Sequence, residues 1–198
     1  DAGLVKYNTV EWLVFTAENS DLPVSNIHNV IDASGNILIA TSQGLAKFNG
    51  TDVTGWTFFT ANNSDLYENS IVGLVKLNTG NIWVANYGKI FEFNGIDNDD
   101  WKYIEPSTSD LPVNNVKAIA KDNNGNIYLG TRFGRVGRYN GVDYFNWEIY
   151  NPSNSILTSN DIEVITVDDS NIIWFGTNSN GLIKFDGIDT WTHYDTLN

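Results

Sequence analysis

Five tryptophans, Trp12, Trp56, Trp101, Trp147 and Trp191, fall 44, 45, 46 and 44 residues apart in a chain of 198 residues. A fixed period of that length means one supersecondary unit is copied along the chain, and few folds accept such copying. An aromatic-Asn/Asp-Gly turn precedes the last four, as Phe48-Asn49-Gly50, Phe93-Asn94-Gly95, Tyr139-Asn140-Gly141 and Phe185-Asp186-Gly187, with a shortened relative at Tyr7-Asn8. Asn-Gly and Asp-Gly are strong short-hairpin signals because these residues accept positive φ. A second turn lies upstream, at Ser34-Gly35-Asn36, Thr79-Gly80-Asn81, Asn124-Gly125-Asn126 and Ser170-Asn171. Asn171 replaces the glycine in the last copy, and Asn tolerates the left-handed conformation better than other non-glycine residues.

One unit reads as four strands: Val116 to Ala120, Ile127 to Thr131, Val136 to Tyr139 and Trp147 to Tyr150. No segment keeps the 3.6-residue apolar period of an amphipathic helix, so the expected class is all-β. Four short strands cannot bury both faces alone, and the repeat selects a β-propeller of four-stranded antiparallel blades with aromatic wedges between them. About four and a half repeats are present: residues 1–24 form the outer half of a blade, and 25–68, 69–113, 114–158 and 159–198 form successive blades. A segment of a larger propeller is the expectation. Completion by a second copy and a tolerated open end are the alternatives, the last exposing strand edges.

Composition narrows the partners. With 24 acidic against 11 basic side chains the net charge is −13, which disfavours nucleic acid and anionic membranes. Cysteine is absent, excluding disulfides, thiol catalysis and thiolate metal sites. No apolar run approaches the roughly 18 residues of a membrane helix.

The pattern Asn-Asn-Val-x-x-Ile-x-x-Asp-x-x-Gly-Asn-Ile-Tyr-Leu-Gly-Thr, then Gly, Tyr-Asn-Gly, Trp and Tyr, from Asn114 to Tyr150, resembles the two-component regulator propeller repeat. Asn160 to Tyr194 repeats it. The linkers Asn19-Ser20-Asp21-Leu22-Pro23-Val24-Ser25-Asn26 and Ser109-Asp110-Leu111-Pro112-Val113-Asn114-Asn115 are similar to that family's blade connections. The resemblance implies an extracytoplasmic bacterial setting, periplasmic or extracellular, of the kind found in hybrid sensor kinases that respond to glycan breakdown products. No kinase, transmembrane or sandwich segment is visible in this sequence.

Propeller ligands usually sit on the face shared by the second-to-third-strand loops, here Ser42 to Gly44, Tyr87 to Gly88, Arg132 to Gly134 and Asn178 to Gly181. Tyr87 and Phe133 place aromatic rings there, suited to sugar binding or to packing on a neighbouring blade. All three arginines, Arg132, Arg135 and Arg138, lie within seven residues. Arg132 and Arg135 flank a loop and do not repeat, making an anion clamp or plain solvated surface. Arg138 aligns with Lys6, Lys47, Glu92 and Lys184, a routine solvent-facing position. His28 heads a first strand, aligned with Val72, Lys117 and Glu163, and is a candidate at the central channel. Asp97-Asn98-Asp99-Asp100 lacks a full Ca²⁺ loop, and neither a metal nor a cofactor is expected. No catalytic constellation stands out. The expected function is noncatalytic recognition of a glycan or protein; a polysaccharide hydrolase or lyase and a structural assembly repeat are the alternatives.

Overall fold

The computed structural model describes residues 3–7, 9–22, 26–33, 35–50, 54–96, 100–104, 115–142, 146–158 and 161–196. Within them lie 18 strands and no helix. The first blade holds β1 (Leu4–Tyr7) and β2 (Trp12–Phe15). The second comprises β3 (Ile27–Ala33), β4 (Asn36–Thr41), β5 (Gly44–Phe48) and β6 (Trp56–Phe59). The third comprises β7 (Ile71–Lys76), β8 (Ile82–Asn86), β9 (Ile90–Phe93) and β10 (Trp101–Tyr103). The fourth comprises β11 (Val116–Lys121), β12 (Ile127–Thr131), β13 (Val136–Tyr139) and β14 (Trp147–Tyr150). The fifth comprises β15 (Ile162–Val167), β16 (Ile173–Thr177), β17 (Leu182–Phe185) and β18 (Trp191–Tyr194). Four sheets are four-stranded meanders and one is a two-stranded hairpin, all antiparallel.

Local chemistry explains why the strands fall where they do. The turn glycines Gly35, Gly80 and Gly125 have φ between 88° and 94°, and Asn171 adopts 61° in their place. The turn reading at Asn171 therefore holds: its short amide side chain is compatible with the left-handed backbone. Its Oδ1 also accepts from Asn123 N–H of the preceding blade at 2.6 Å. Asp122 ties its own turn, accepting from the N–H groups of Asn124 and Asn126.

The fourth strand of most blades runs into a self-bonded turn. Asn19, Asn63 and Asn154 each accept from the N–H three residues back and donate to the carbonyl five residues back. Ser20, Ser64 and Ser155 add a bond to the carbonyl four residues back. These side chains do for the linker what a ladder does for a strand, so its backbone is satisfied without regular structure. Leu22, Leu66 and Leu157 follow, each 3% exposed, and pin the linker into the groove between blades.

The core lies between the sheets. Leu38, Ala40, Leu45 and Phe59 of the second blade meet Leu74, Ile82, Val84 and Phe93 of the third. Trp83, Ile90 and Ile104 meet Val116, Leu129, Tyr139 and Trp147 at the next junction. Tyr128, Val136 and Tyr150 meet Ile173, Phe175 and Phe185 at the last. Both faces of an internal blade are thus apolar. Its strands read as unbroken hydrophobic runs, not as alternation.

Two expectations need correction. The repeated tryptophans are not uniformly buried wedges: Trp147 is buried, but Trp12 is 68% exposed, with no sheet against its open face among the described residues. Arg138 is no simple solvent-facing residue. Its guanidinium lies 5.9 Å from the Tyr128 ring and donates to Glu148 at 3.2 Å, capping the outer rim of a blade junction. Burial pushes the Tyr128 phenol far above its usual range and that of Tyr150 up to about 12, so both stay neutral at ordinary pH. Asn8, residues 23–25 of the first linker, Ser34, residues 97–99 of the acidic turn, residues 109–114 of the second linker and Asn160 lie outside the described residues.

Candidate functional site at the mouth of the axis

Each complete blade has a register break near the start of its innermost strand. The ladder slips between Ile27 and Asn29, Ile71 and Gly73, Val116 and Ala118, and Ile162 and Val164. The extra residue is His28, Val72, Lys117 and Glu163 in turn. A β-bulge bends its strand and re-aims the unpaired side chain, here at the same step in four consecutive blades. All four side chains line one cavity of about 250 Å³, joined by Tyr87 from the β8–β9 turn. The sequence alignment of His28 with Val72, Lys117 and Glu163 is thus a shared position in space.

The polar groups are tied to one another. His28 Nδ1 lies 2.5 Å from the carbonyl oxygen of Ile71, which only accepts, so Nδ1 carries the proton. Lys117 Nζ stands 3.2 Å from Glu163 and 3.8 Å from Asp161. Arg132 Nε is 3.4 Å from the same Asp161, whose other oxygen accepts from Phe133 N–H at 3.2 Å. Two cations therefore face two carboxylates, a locally balanced mouth on a chain of net charge −13. Direct bonds also hold the mouth together: Tyr87 C=O accepts from Val116 N–H across the third and fourth blades at 2.9 Å.

His28 and Tyr87 thus sit together in the cavity, and Tyr87 is 44% exposed. Arg132 and Phe133 belong to the rim, joined to the cavity through Asp161 and Lys117. Phe133 is 66% exposed with φ 67°, an uncommon backbone for a bulky side chain, and the Asp161 bond holds it there. Arg135 is exposed, and its backbone carbonyl accepts from the N–H and hydroxyl of Thr131. It does not join Arg132 in a clamp on any shared group among the described residues. Sequence reasoning passed over Lys117, Glu163 and Asp161 as site residues. The available signal was chemical disagreement, His, Val, Lys and Glu, at one position of an otherwise repeating strand.

Residues 110–133 match the sequence profile of the family described as two component regulator propeller. No curated protein sequence matches the chain. Among solved structures, the extracellular domain of the hybrid two component system BT3049 from B. thetaiotaomicron is 23% identical, with a TM-score of 0.75 over 94% of this chain and 25% of that one. The corresponding domain of BT4673 from the same organism is 18% identical, with a TM-score of 0.69 and the same coverage. A catalytically inactive virginiamycin B lyase from Staphylococcus aureus is 17% identical, with a TM-score of 0.65 over 89% of this chain and 58% of that one. The chain spans about a quarter of the length of the two extracellular domains. Repeating blades and these likenesses show that the chain is a β-propeller, within which residues 110–133 match the two component regulator propeller repeat.

Proposed function

We propose that the chain is an extracytoplasmic recognition module that binds a glycan at the axial mouth, in the cavity lined by His28, Val72, Tyr87, Lys117 and Glu163. The observation carrying this reading is that four bulges at equivalent steps aim four chemically different side chains into one cavity. Packing of a repeat scaffold demands sameness at equivalent positions. Difference there, at a solvent-open mouth, is what a ligand demands. The Tyr87 ring offers a face to sugar C–H groups, and the Lys117, Glu163 and His28 heads offer donors and acceptors to hydroxyls. The extracellular setting of the two B. thetaiotaomicron relatives supports the location outside the cytoplasm.

Lys117 sits between Asp161 and Glu163 and holds both carboxylates in ion pairs, an arrangement suited to binding more than to proton transfer. The test is a glycan array probed with the wild-type chain, with Tyr87→Ala, and with Lys117→Met. Retained glycans should be lost about 10-fold or more in affinity with either variant, as expected for removing a buried polar or stacking contact. An array with no retained glycan, or hits indifferent to both changes, would overturn the reading.

A further inference from the structure

A ridge of side chains leads outward from the axial cavity where the second and third blades meet, both of them complete and each packed between two neighbours. Tyr87 lines the cavity from the β8–β9 turn, and Lys89 follows two residues later, within about 7 Å along the backbone. Lys89 Nζ lies 3.7 Å from the centre of the Tyr67 ring and 4.6 Å from that of Tyr103. Tyr67 belongs to the linker between β6 and β7 and is 66% exposed, whereas Tyr103 ends β10 and packs on Phe91 at 5.6 Å. Both supports are fixed from beneath. Leu66, buried next to Tyr67, pins the linker, and Asn69 Oδ1 accepts from Ala61 N–H at 2.8 Å. Asn86 is fully buried and accepts from the N–H groups of Gly88 and Lys89, which sets the turn that carries Tyr87 and Lys89.

This ridge is also where the third blade departs from the repeat. The linker leucine is followed by Pro23, Pro112 and Thr158 in the other copies and by Tyr67 in this one. The second strand ends in Thr41, Thr131 and Thr177, each donating its hydroxyl to a carbonyl across the turn, but here in Asn86. The step before Leu45, Ile90, Val136 and Leu182 is Gly44 and Gly181 in two blades, Lys89 and Arg135 in the others. Charge sets Lys89 apart from the cations of the mouth as well. Lys117 and Arg132 are paired with Asp161 and Glu163, while Lys89 has no carboxylate partner among the described residues. Ring faces attract an ammonium without cancelling its charge, and its N–H groups have no acceptor in the rings' edges. On a chain of net charge −13, an unneutralised cation stands beside the cavity.

We propose that Lys89, framed by Tyr67 and Tyr103, is a second subsite continuous with the axial cavity, which takes a carboxylate or sulfate on a glycan whose adjoining unit lies over Tyr87. The inference rests on glycan binding at the mouth and adds to it the charge class of the ligand. The exposed Tyr67 ring offers apolar surface to the sugar that carries the anion. Two rings already confine the lysine side chain, so it loses little further freedom when a ligand binds.

The test presents short uronate-containing, sulfated and neutral oligosaccharides to the wild-type chain and to Lys89→Met, Lys89→Arg and Tyr67→Ala. An array selects the retained probes, and isothermal titration at low and high salt measures them. The retained oligosaccharides should be charged ones, and reducing their carboxylates to alcohols or removing their sulfates should weaken binding about 10-fold or more. Lys89→Met should reproduce that loss and flatten the salt dependence. Tyr67→Ala should weaken the same probes. Lys89→Arg keeps the charge and should keep most of the affinity, which separates loss of the cation from damage to the fold. Retention of neutral oligosaccharides alone, or charged ones bound equally well by Lys89→Met or Tyr67→Ala, would overturn the subsite and leave glycan binding at the mouth standing. An array with no retained probe, or hits indifferent to Tyr87→Ala and Lys117→Met, would instead overturn the axial reading and this inference with it.

Discussion

The carboxylate of Asp161, in the fifth blade, reaches 3.4 Å from Nε of Arg132 on the β12–β13 turn of the fourth. The same group accepts from Phe133 N–H and stands 3.8 Å from Lys117. One side chain thus joins rim, turn and cavity across a blade boundary. Asp161→Ala should cost about 1 kcal/mol, because Arg132 is half exposed and water screens its pair. The sharper readout is local: the Phe133 amide should exchange with deuterium markedly faster, while β12 amides keep their protection. Unchanged exchange at Phe133 would deny Asp161 this role.

Tyr150 and Tyr194 occupy equivalent positions in different settings, one 7% exposed and packed on Phe185 and Trp191, the other 40% exposed. Tyr150→Ala should lower stability by about 3 kcal/mol, the range for truncating a buried aromatic. Tyr194→Ala should cost under about 1 kcal/mol, because that ring is already 40% exposed. Urea unfolding of the two variants checks the contrast, and equal losses would contradict it.

Gly44 has φ 139°, and a Cβ there would fall 2.4 Å from the Phe59 carbonyl oxygen, a backbone atom that cannot swing aside. Gly44→Ala should therefore destabilise by roughly 2 kcal/mol or more, combining backbone strain with the forced shift of β6. Differential scanning calorimetry should show a midpoint several degrees lower. A neutral result would place the β4–β5 turn among tolerant loops.

The Asp186 carboxylate accepts from the N–H groups of Ile188, Asp189 and Thr190, and these backbone bonds hold its pKa down at about 2 against an ordinary 3.8. A carboxyl depressed on folding stabilises the fold while ionised. Its contribution is complete above pH about 4 and is lost as pH falls through about 2. The stability gap between wild type and Asp186→Asn should be constant at neutral pH and close over that window, as urea midpoints taken at each pH would show. A gap independent of pH would exclude the ionised acceptor as its source.

Strands were legible where local chemistry fixes both ends. Ile82–Asn86, Ile127–Thr131 and Ile173–Thr177 are flanked by a left-handed turn residue on one side and a loop glycine on the other, and each runs as read. The self-bonded turns at Asn19, Asn63 and Asn154 were less legible, since a polar residue in a linker does not announce which backbone group it will bond.

By itself, the sequence determined the repeat, the four-stranded unit and the common position of His28, Val72, Lys117 and Glu163, because period, turn residues and apolar runs are all short-range properties of the chain. Tertiary structure alone decided that this position is a bulge facing a shared cavity, that Asp161 gathers Lys117, Arg132 and Phe133, and that Trp12 and Tyr194 stand exposed. Those outcomes depend on which blade lies against which. A side chain's neighbours across a blade junction lie some 45 residues away along the chain, and no local pattern encodes the angle at which they meet.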